Sequence, residues 1–194
     1  MSIIGLDIGT SSSKGILLSD QGQVIGKSYR EYAISSKFET HLELNPNQVW
    51  KAIISILNEL ASLEKKQNIK AISISAMGDT VTPFDHQLVP LYNSLLAFDT
   101  RSTPESISLS EKLGEKWIFE TTGMPIHPTY SACKILWLKH HHPRLFYKTD
   151  KFLCYEDYIS AQLGSDYAIS YSSAARTLFF DLHQKTWNKK ILAE

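Results

Sequence analysis

The sequence predicts an α/β domain with a helical extension, and three observations carry this. The first thirty residues hold short apolar runs, Ile3 to Ile8 and Gly15 to Leu18, joined by tight polar turns. A helical repeat follows at Val49, Trp50, Ile53, Ile54, Leu57, Leu60 and Ala61. From Thr103-Pro104 onward the chain turns mainly helical. The element order reads β-β-β-α-β-β-β, then helices, then a short strand near Leu178 to Phe180.

Each element has a local reason. Ile3, Ile4, Leu6 and Ile8 form a first strand that ends at Gly9. The second strand, Gly15 to Leu18, closes at Asp20-Gln21-Gly22-Gln23, where glycine supplies a positive φ for a hairpin turn. Val24 to Tyr32 continues as a third strand. Asn45-Pro46 starts a helix, with Asn as cap and Pro at the first helical position. Glu64, Lys65 and Lys66 finish that helix. Ala71 to Ser75 alternates like a half-buried strand. Val81 to Phe84 and Leu88-Val89 flank a turn at Asp85-His86-Gln87, and Leu95 to Phe98 is a short strand ending at Asp99. Helices are predicted over 104–114, 115–121, 132–141, 143–147 and 155–163. The tryptophans Trp50, Trp117, Trp137 and Trp187 fit apolar faces and are assigned to the core.

Composition excludes several functions. Twenty basic residues balance twenty acidic ones, so no net field favours nucleic acid or an acidic membrane as partner. No run approaches the ~18 apolar residues of a membrane span. The opening MSIIGLDIGT lacks the basic and apolar regions of a signal peptide. Cys133 and Cys154 form neither a disulfide framework nor a metal-ligand spacing, so both thiols are expected free in a reducing, cytoplasmic setting. At 194 residues a full core is available, with roughly 70% of the unfolded surface buried.

The first turn carries chemistry. A tight turn at Gly9 leaves successive backbone N–H groups pointing one way, a nest that suits phosphate oxygens. Thr10, Ser11, Ser12 and Ser13 add hydroxyl donors, and Lys14 adds charge. Asp7, at the end of the first strand, suits a magnesium ion held through water. The alternative is a plain serine-rich hairpin. GTSSSKG lacks the paired glycines of a P-loop and the three glycines of the dinucleotide fingerprint. A strand rather than a helix follows it, so no helix dipole assists.

Seven segments in order then resemble the N-terminal domain of the FGGY family of carbohydrate kinases, over essentially the whole chain. GLDIGTSSSKGILLSDQGQVI resembles the family's opening hairpin. ELNPNQVW, with Glu43, Asn45, Pro46 and Trp50, resembles the Glu-x-Asp/Asn-Pro-x-x-x-Trp element. ISISAMGDTVTPFD resembles the strand-loop-strand that faces the sugar, and FDTRS the Trp-x-Asp-x-Arg segment. TTGMPIHPTYSACKILWLKHHHPRLF, KFLCYEDYISAQL and SSAARTLFFDL complete the series. The resemblance implies a ribonuclease H-like fold, that of actin-like ATPases and sugar kinases, with a mixed five-stranded sheet. It implies ATP with Mg²⁺, phosphates on Gly9, Thr10, Ser11, Ser12 and Lys14, and Asp7 assisting the metal. It places the sugar against Met77, Gly78, Asp79, Asp99, Arg101 and Thr129, and implies phosphoryl transfer to a hydroxyl of gluconate, xylulose or a related sugar or polyol.

Subfamily signals diverge. TGMPIHP before Cys133-Lys134-Ile135 is similar to gluconate kinases, whereas Ala175-Arg176-Thr177 before Phe-Asp-Leu is similar to glycerol kinases. Gluconate and xylulose kinases usually carry Met-His where this chain has Met77-Gly78. Glycerol kinases carry Arg-Glu-Thr where it has Gly78-Asp79-Thr80, so Asp79 matches their acid, their Arg is missing, and their pocket Tyr falls at Thr129. Ala97 replaces the usual Trp two residues before Asp99.

Plainer roles stand beside these. Asp79 also suits a turn, and Asp99 and Arg101 could pair with each other or cap the next helix. His140-His141-His142 reads as a helix C-terminus favoured by the dipole, since consecutive helical residues point apart and cannot share an ion. His127 reads as a packed loop residue or a pocket residue. The family's catalytic Asp lies in a later Gly-rich segment that has no match here. The expectation is therefore a C-terminally incomplete N-terminal domain over residues 1–194, without the second, adenosine-binding domain and inactive alone. The other class is a non-catalytic module that binds a sugar or a partner. Apolar surface left by a cut would favour self-association, for instance as a homodimer.

Overall fold

A computed structural model of the chain describes residues 1–65 and 68–194. The chain divides into two compact units, one of residues 1–34 and 45–77, the other of residues 35–44 and 78–194.

In the first unit, β1 (Ser2–Ile8), β2 (Ser12–Ser19) and β3 (Val24–Glu31) form an antiparallel meander. The β2–β3 turn is the expected one, with Gly22 at φ 77°. Helix α1 (Pro46–Ser62) leads to β6 (Ile69–Ala76), which lies parallel to β1 in the order β3-β2-β1-β6. Asn45 caps α1 by accepting from the Asn47 N–H at 3.0 Å, as its sequence predicts. Ile4, Leu6, Ile8 and Leu17 alternate inward, and Ile53, Ile56 and Leu60 of α1 are fully buried. Burial of each such side chain contributes ~1.5–3 kcal/mol. Gly15 makes the close approach possible: a Cβ there would stand 2.4 Å from Ile56 Cγ2 and 2.8 Å from Leu60 Cδ1.

Three expectations for this unit change. The mixed sheet has four strands among the described residues rather than five. Strand β6 is exposed at most positions rather than half-buried, because it is an edge with one neighbour. Helix α1 ends at Ser62, before Glu64 and Lys65, and Lys66 lies outside the described residues.

The second unit holds the short strands β4 (Ile34–Phe38, its first residue counted with the other unit), β5 (His41–Leu44) and β8 (Ser94–Leu95) in one sheet. Strand β7 (Thr82–Phe84) pairs antiparallel with β9 (Lys151–Leu153). Residues 96–98, expected as strand, instead turn, with the Asp99 N–H donating to Leu96 O. The helices are α2 (Thr103–Leu113), α3 (Glu115–Thr122), α4 (Ser131–His141), α5 (Pro143–Lys148), α6 (Tyr155–Gln162), α7 (Tyr171–Ala175) and α8 (Lys189–Leu192). Their main core joins Leu109, Leu113, Ile118, Cys133, Leu178 and Ile191. The strand expected near Leu178 to Phe180 falls at β10 (Phe180–Asp181), paired with β11 (Thr186–Trp187), because Leu178 adopts φ 65° and cannot extend. Trp187 at the hairpin's end is 44% exposed, against its core assignment. His140 Nδ1 and His141 Nε2 both reach Glu105 Oε1, at 3.3 and 3.4 Å, so these neighbours do converge on one acceptor presented by α2. No helix among the described residues is long and apolar enough to cross a membrane.

Candidate functional site

The β1–β2 turn is tied from below by a residue the sequence did not single out. The Tyr32 hydroxyl donates to Gly9 O at 2.5 Å and stands 3.2 Å from Ser13 Oγ, while its N–H donates to Ser11 O at 3.0 Å. Burial raises the Tyr32 pKa, so the phenol stays a donor. Only its position at the end of β3 could have hinted at this. The Gly9 N–H is spent inside the turn on Ser12 O at 2.9 Å, and Ser13 is fully buried, so neither is open to a ligand as expected. Among the described residues the Thr10 and Ser11 N–H groups make no such bond and remain as open donors. Asp7 and Lys14 are direct cross-strand neighbours, both exposed, on the face opposite α1. Ser75 of β6 sits beside Asp7, and the face forms a cavity of about 600 Å³ with Gly5, Lys27 and Tyr29.

The donor chemistry fits a magnesium ion that keeps most of its water. Among the described residues no group of three metal-ligating side chains exists, so no all-protein cage is available. One exposed carboxylate, Asp7, is what a hydrated ion shared with phosphates requires.

In the second unit the loop after Gly78 is built around Asp79. This residue adopts φ 60°, a left-handed conformation that Asp tolerates better than most side chains. Two cations distant in the chain hold it, one in α4 and one just after α7. Arg176 grips the carboxylate, with Nε at 2.9 Å from Oδ1 and 3.1 Å from Oδ2, and Nη2 on Oδ2. Lys134, fully buried in α4, donates from Nζ to Asp79 O and to Thr129 O, both at 2.6 Å. Burial pushes the Lys134 ammonium down to about 8, against the opposing pull of Asp79 and Asp99. Thr129 Oγ1 in turn donates to Ala97 O at 2.6 Å. One lysine thus sets three predicted positions, 79, 97 and 129, relative to one another.

These features meet a matching family profile: that of the FGGY family of carbohydrate kinases, N-terminal domain, covers residues 2–194. The chain belongs to this family. A xylulose kinase of Bacillus subtilis (strain 168) is 32% identical over 191 residues, 97% of this chain and 38% of the relative. A gluconokinase of Bacillus licheniformis is 29% identical, over 98% of this chain and 37% of its own. The crystal structure of gluconate kinase from Lactobacillus acidophilus superposes with a TM-score of 0.92 at 26% identity, covering 99% of this chain and 39% of that one. The fold is therefore that of the FGGY sugar kinases, and this FGGY chain spans about 38% of the length of the curated relatives it matches.

Within this FGGY domain, Asp99 and Arg101 sit in a closed network. Asp99 is fully buried, and its Oδ2 accepts from the Leu42 N–H at 2.7 Å. Arg101 returns Nε at 2.9 Å and Nη2 at 2.7 Å to it, and Nη1 meets Glu43 Oε1 at 2.8 Å as an ion pair without hydrogen-bond alignment. The guanidinium lies 4.9 Å from the Trp137 ring. Burial raises the Glu43 pKa, but the hydrogen bond from Asn93 and the positive charge of Arg101 outweigh it and leave the carboxyl below its usual range. The pair joins β5 to the 96–101 loop, and the mutual pairing that the sequence left open is present. Met77 belongs to the first unit, where its N–H donates to Ile8 O at 2.8 Å. His127 is a loop residue whose Nδ1 accepts from the Thr129 N–H at 3.2 Å. In the sequence Lys134 and Arg176 stand out only as subfamily markers; a lysine amid the apolar pattern of α4 is the available signal.

Proposed function

We propose that this chain provides the phosphate cradle and one wall of the acceptor site of an ATP-dependent kinase that phosphorylates a hydroxyl of a small sugar, sugar acid or polyol. The supporting observation is the anchoring of Asp79, which fixes a charged group in a strained loop at the cost of burying a lysine. An ordinary turn has no need of such supports. Phosphoryl transfer is mainly positioning and charge neutralisation, and these residues suit those tasks. The Thr10 and Ser11 N–H groups with the Ser12 hydroxyl donate to phosphate oxygens, and Lys14 offsets their charge. Asp7 orients water on Mg²⁺, which when bound supplies charge neutralisation between phosphates. The Asp79–Arg176 pair and Thr129 orient acceptor hydroxyls. Asp99 and Arg101 act as positioning residues that hold the 96–101 loop. The xylulose and gluconate kinases among the relatives support a ketose or aldonate class of acceptor.

The test is amide NMR of the 194-residue chain. Titration with Mg-ADP is expected to shift Thr10 to Lys14, and titration with D-xylulose, D-gluconate or glycerol to shift residues 78–80, 97 and 129. Sugars that leave those resonances unmoved, or move an unrelated patch, would refute the acceptor assignment. The chain alone is expected to release no ADP in a coupled assay.

A further inference from the structure

We infer that Arg176, rather than Asp79, is the group of this loop that touches the acceptor, and that the pair selects uncharged polyhydroxy compounds over sugar carboxylates. The inference rests on the acceptor-site reading above and assigns its contact residue. The Asp79 side chain is 3% exposed and that of Arg176 46%. Whatever approaches the loop therefore meets the guanidinium. Nε and Nη2 are committed to Asp79, which leaves the hydrogens of Nη1 directed away from the carboxylate, with no hydrogen-bond partner among the described residues. A planar guanidinium fixed on one edge by a bidentate bond is preorganised on the other. It donates to hydroxyl or carbonyl oxygens without losing the rotamer freedom a loose arginine would lose.

Gly78 makes room for this arrangement. A Cβ there would lie 3.3 Å from Arg176 Nε, tighter than ordinary contact, and 3.7 Å from Cδ. Any side chain at position 78 therefore crowds the arginine, and glycine lets Arg176 lie over the loop. The Tyr130 ring, with the guanidinium 5.8 Å from its centroid, borders the other side. The charge argument sets the class of ligand. Asp79 already neutralises Arg176, so a ligand carboxylate gains little net attraction while losing its hydration. A neutral vicinal diol or ketose keeps the hydrogen bonds without that loss. Asp79 is then a positioning residue acting through Arg176.

The experiment uses the 194-residue chain and follows the Arg176 side-chain Nε–H by NMR, with calorimetry for affinity. The probes are D-xylulose, xylitol and D-gluconate. D-Xylulose and xylitol are expected to shift the Arg176 resonance, and gluconate to bind at least tenfold more weakly. Arg176→Gln is expected to weaken D-xylulose binding at least tenfold, with Arg176→Lys intermediate. Gly78→Ala, which leaves every charge in place, is expected to weaken it severalfold by displacing the guanidinium. Two results overturn the inference alone: sugars that move Gly78 to Thr80 and Thr129 while Arg176 stays still, or gluconate binding as tightly as D-xylulose. Should no sugar move any resonance of the loop, the acceptor-site reading falls and this inference with it. The wild-type side-chain signal keeps the test decisive even where Arg176→Gln unfolds by leaving Asp79 unpaired.

Discussion

Asp157→Asn should stabilise the protein strongly at neutral and alkaline pH and hardly at all in acid. Asp157 occupies the first turn of α6, where its Oδ1 accepts from the Tyr158 N–H at 3.1 Å. It also lines an apolar cavity of about 390 Å³ with Leu136, Phe152, Phe179 and Ile191. Burial pushes its carboxyl up to about 7 from an ordinary 3.8, more than the local N–H donors pull it down. Between those values the folded chain keeps a proton that the unfolded chain releases, so stability falls as pH rises from about 4 to 7. At 1.36 kcal/mol per pH unit the full loss is about 4 kcal/mol, reached above pH 7 and absent below pH 4. Asparagine still accepts from Tyr158 but brings an NH₂ that lacks an obvious partner, which costs about 1 kcal/mol. The expected net gain is about 3 kcal/mol at pH 8, with a small loss at pH 4. Urea unfolding of both proteins at the two pH values, in a Trp50→Phe background so that fluorescence reports the second unit, measures it. A difference between wild type and variant that is equal at pH 4 and pH 8 would refute the reasoning.

Other outcomes follow from the same geometry. Gly15→Ala drives a methyl into Ile56 and Leu60, and overpacking of ~1–3 kcal/mol exceeds the ~0.4–1 kcal/mol gained by stiffening the unfolded chain. The variant should lose about 1–2 kcal/mol by denaturant melt, and no loss in an Ile56→Ala background identifies the clash as the cause. Lys134→Met should abolish sugar-induced shifts at residues 79 and 129 together, since one ammonium holds both carbonyls. Because folded Lys134 gives up its proton near 8 and the unfolded chain keeps it to 10.5, wild type should gain stability relative to this variant as pH rises through that window. Cys133 and Cys154 are both buried, with thiols pushed up to about 12, so neither should react with a thiol reagent at pH 8 until urea unfolds the chain.

Local signals in the sequence carried as far as local physics reaches. The Asn45-Pro46 cap, the Gly22 turn and the first hairpin follow from propensities within a few residues, and the structure holds them where they were expected. The helices after Thr103 agree within a residue or two at their ends. Sheet membership was less legible, because the apolar alternation of β6 does not say how many neighbours a strand has. The loop around Asp79 was the hardest part to read. Asp79 and Arg176 are ninety-seven residues apart, and nothing in either segment announces that they meet. Asp99 and Arg101 were seen as a pair, but their burial and their link to Glu43 depend on β5 packing beside the loop. The Tyr32 tether depends on a register between β2 and β3 that a single sequence does not print.

The central claim is that the Asp79 loop, with Arg176 laid over it, is an acceptor-binding wall. A crystal structure of the chain soaked with D-xylulose tests it most directly. The account predicts sugar density with an oxygen within about 3 Å of Arg176 Nη1, the distance of an N–H···O bond, while the Arg176–Asp79 pairing stays intact. Sugar bound elsewhere, or bound at the loop with Arg176 swung out of contact, would contradict it.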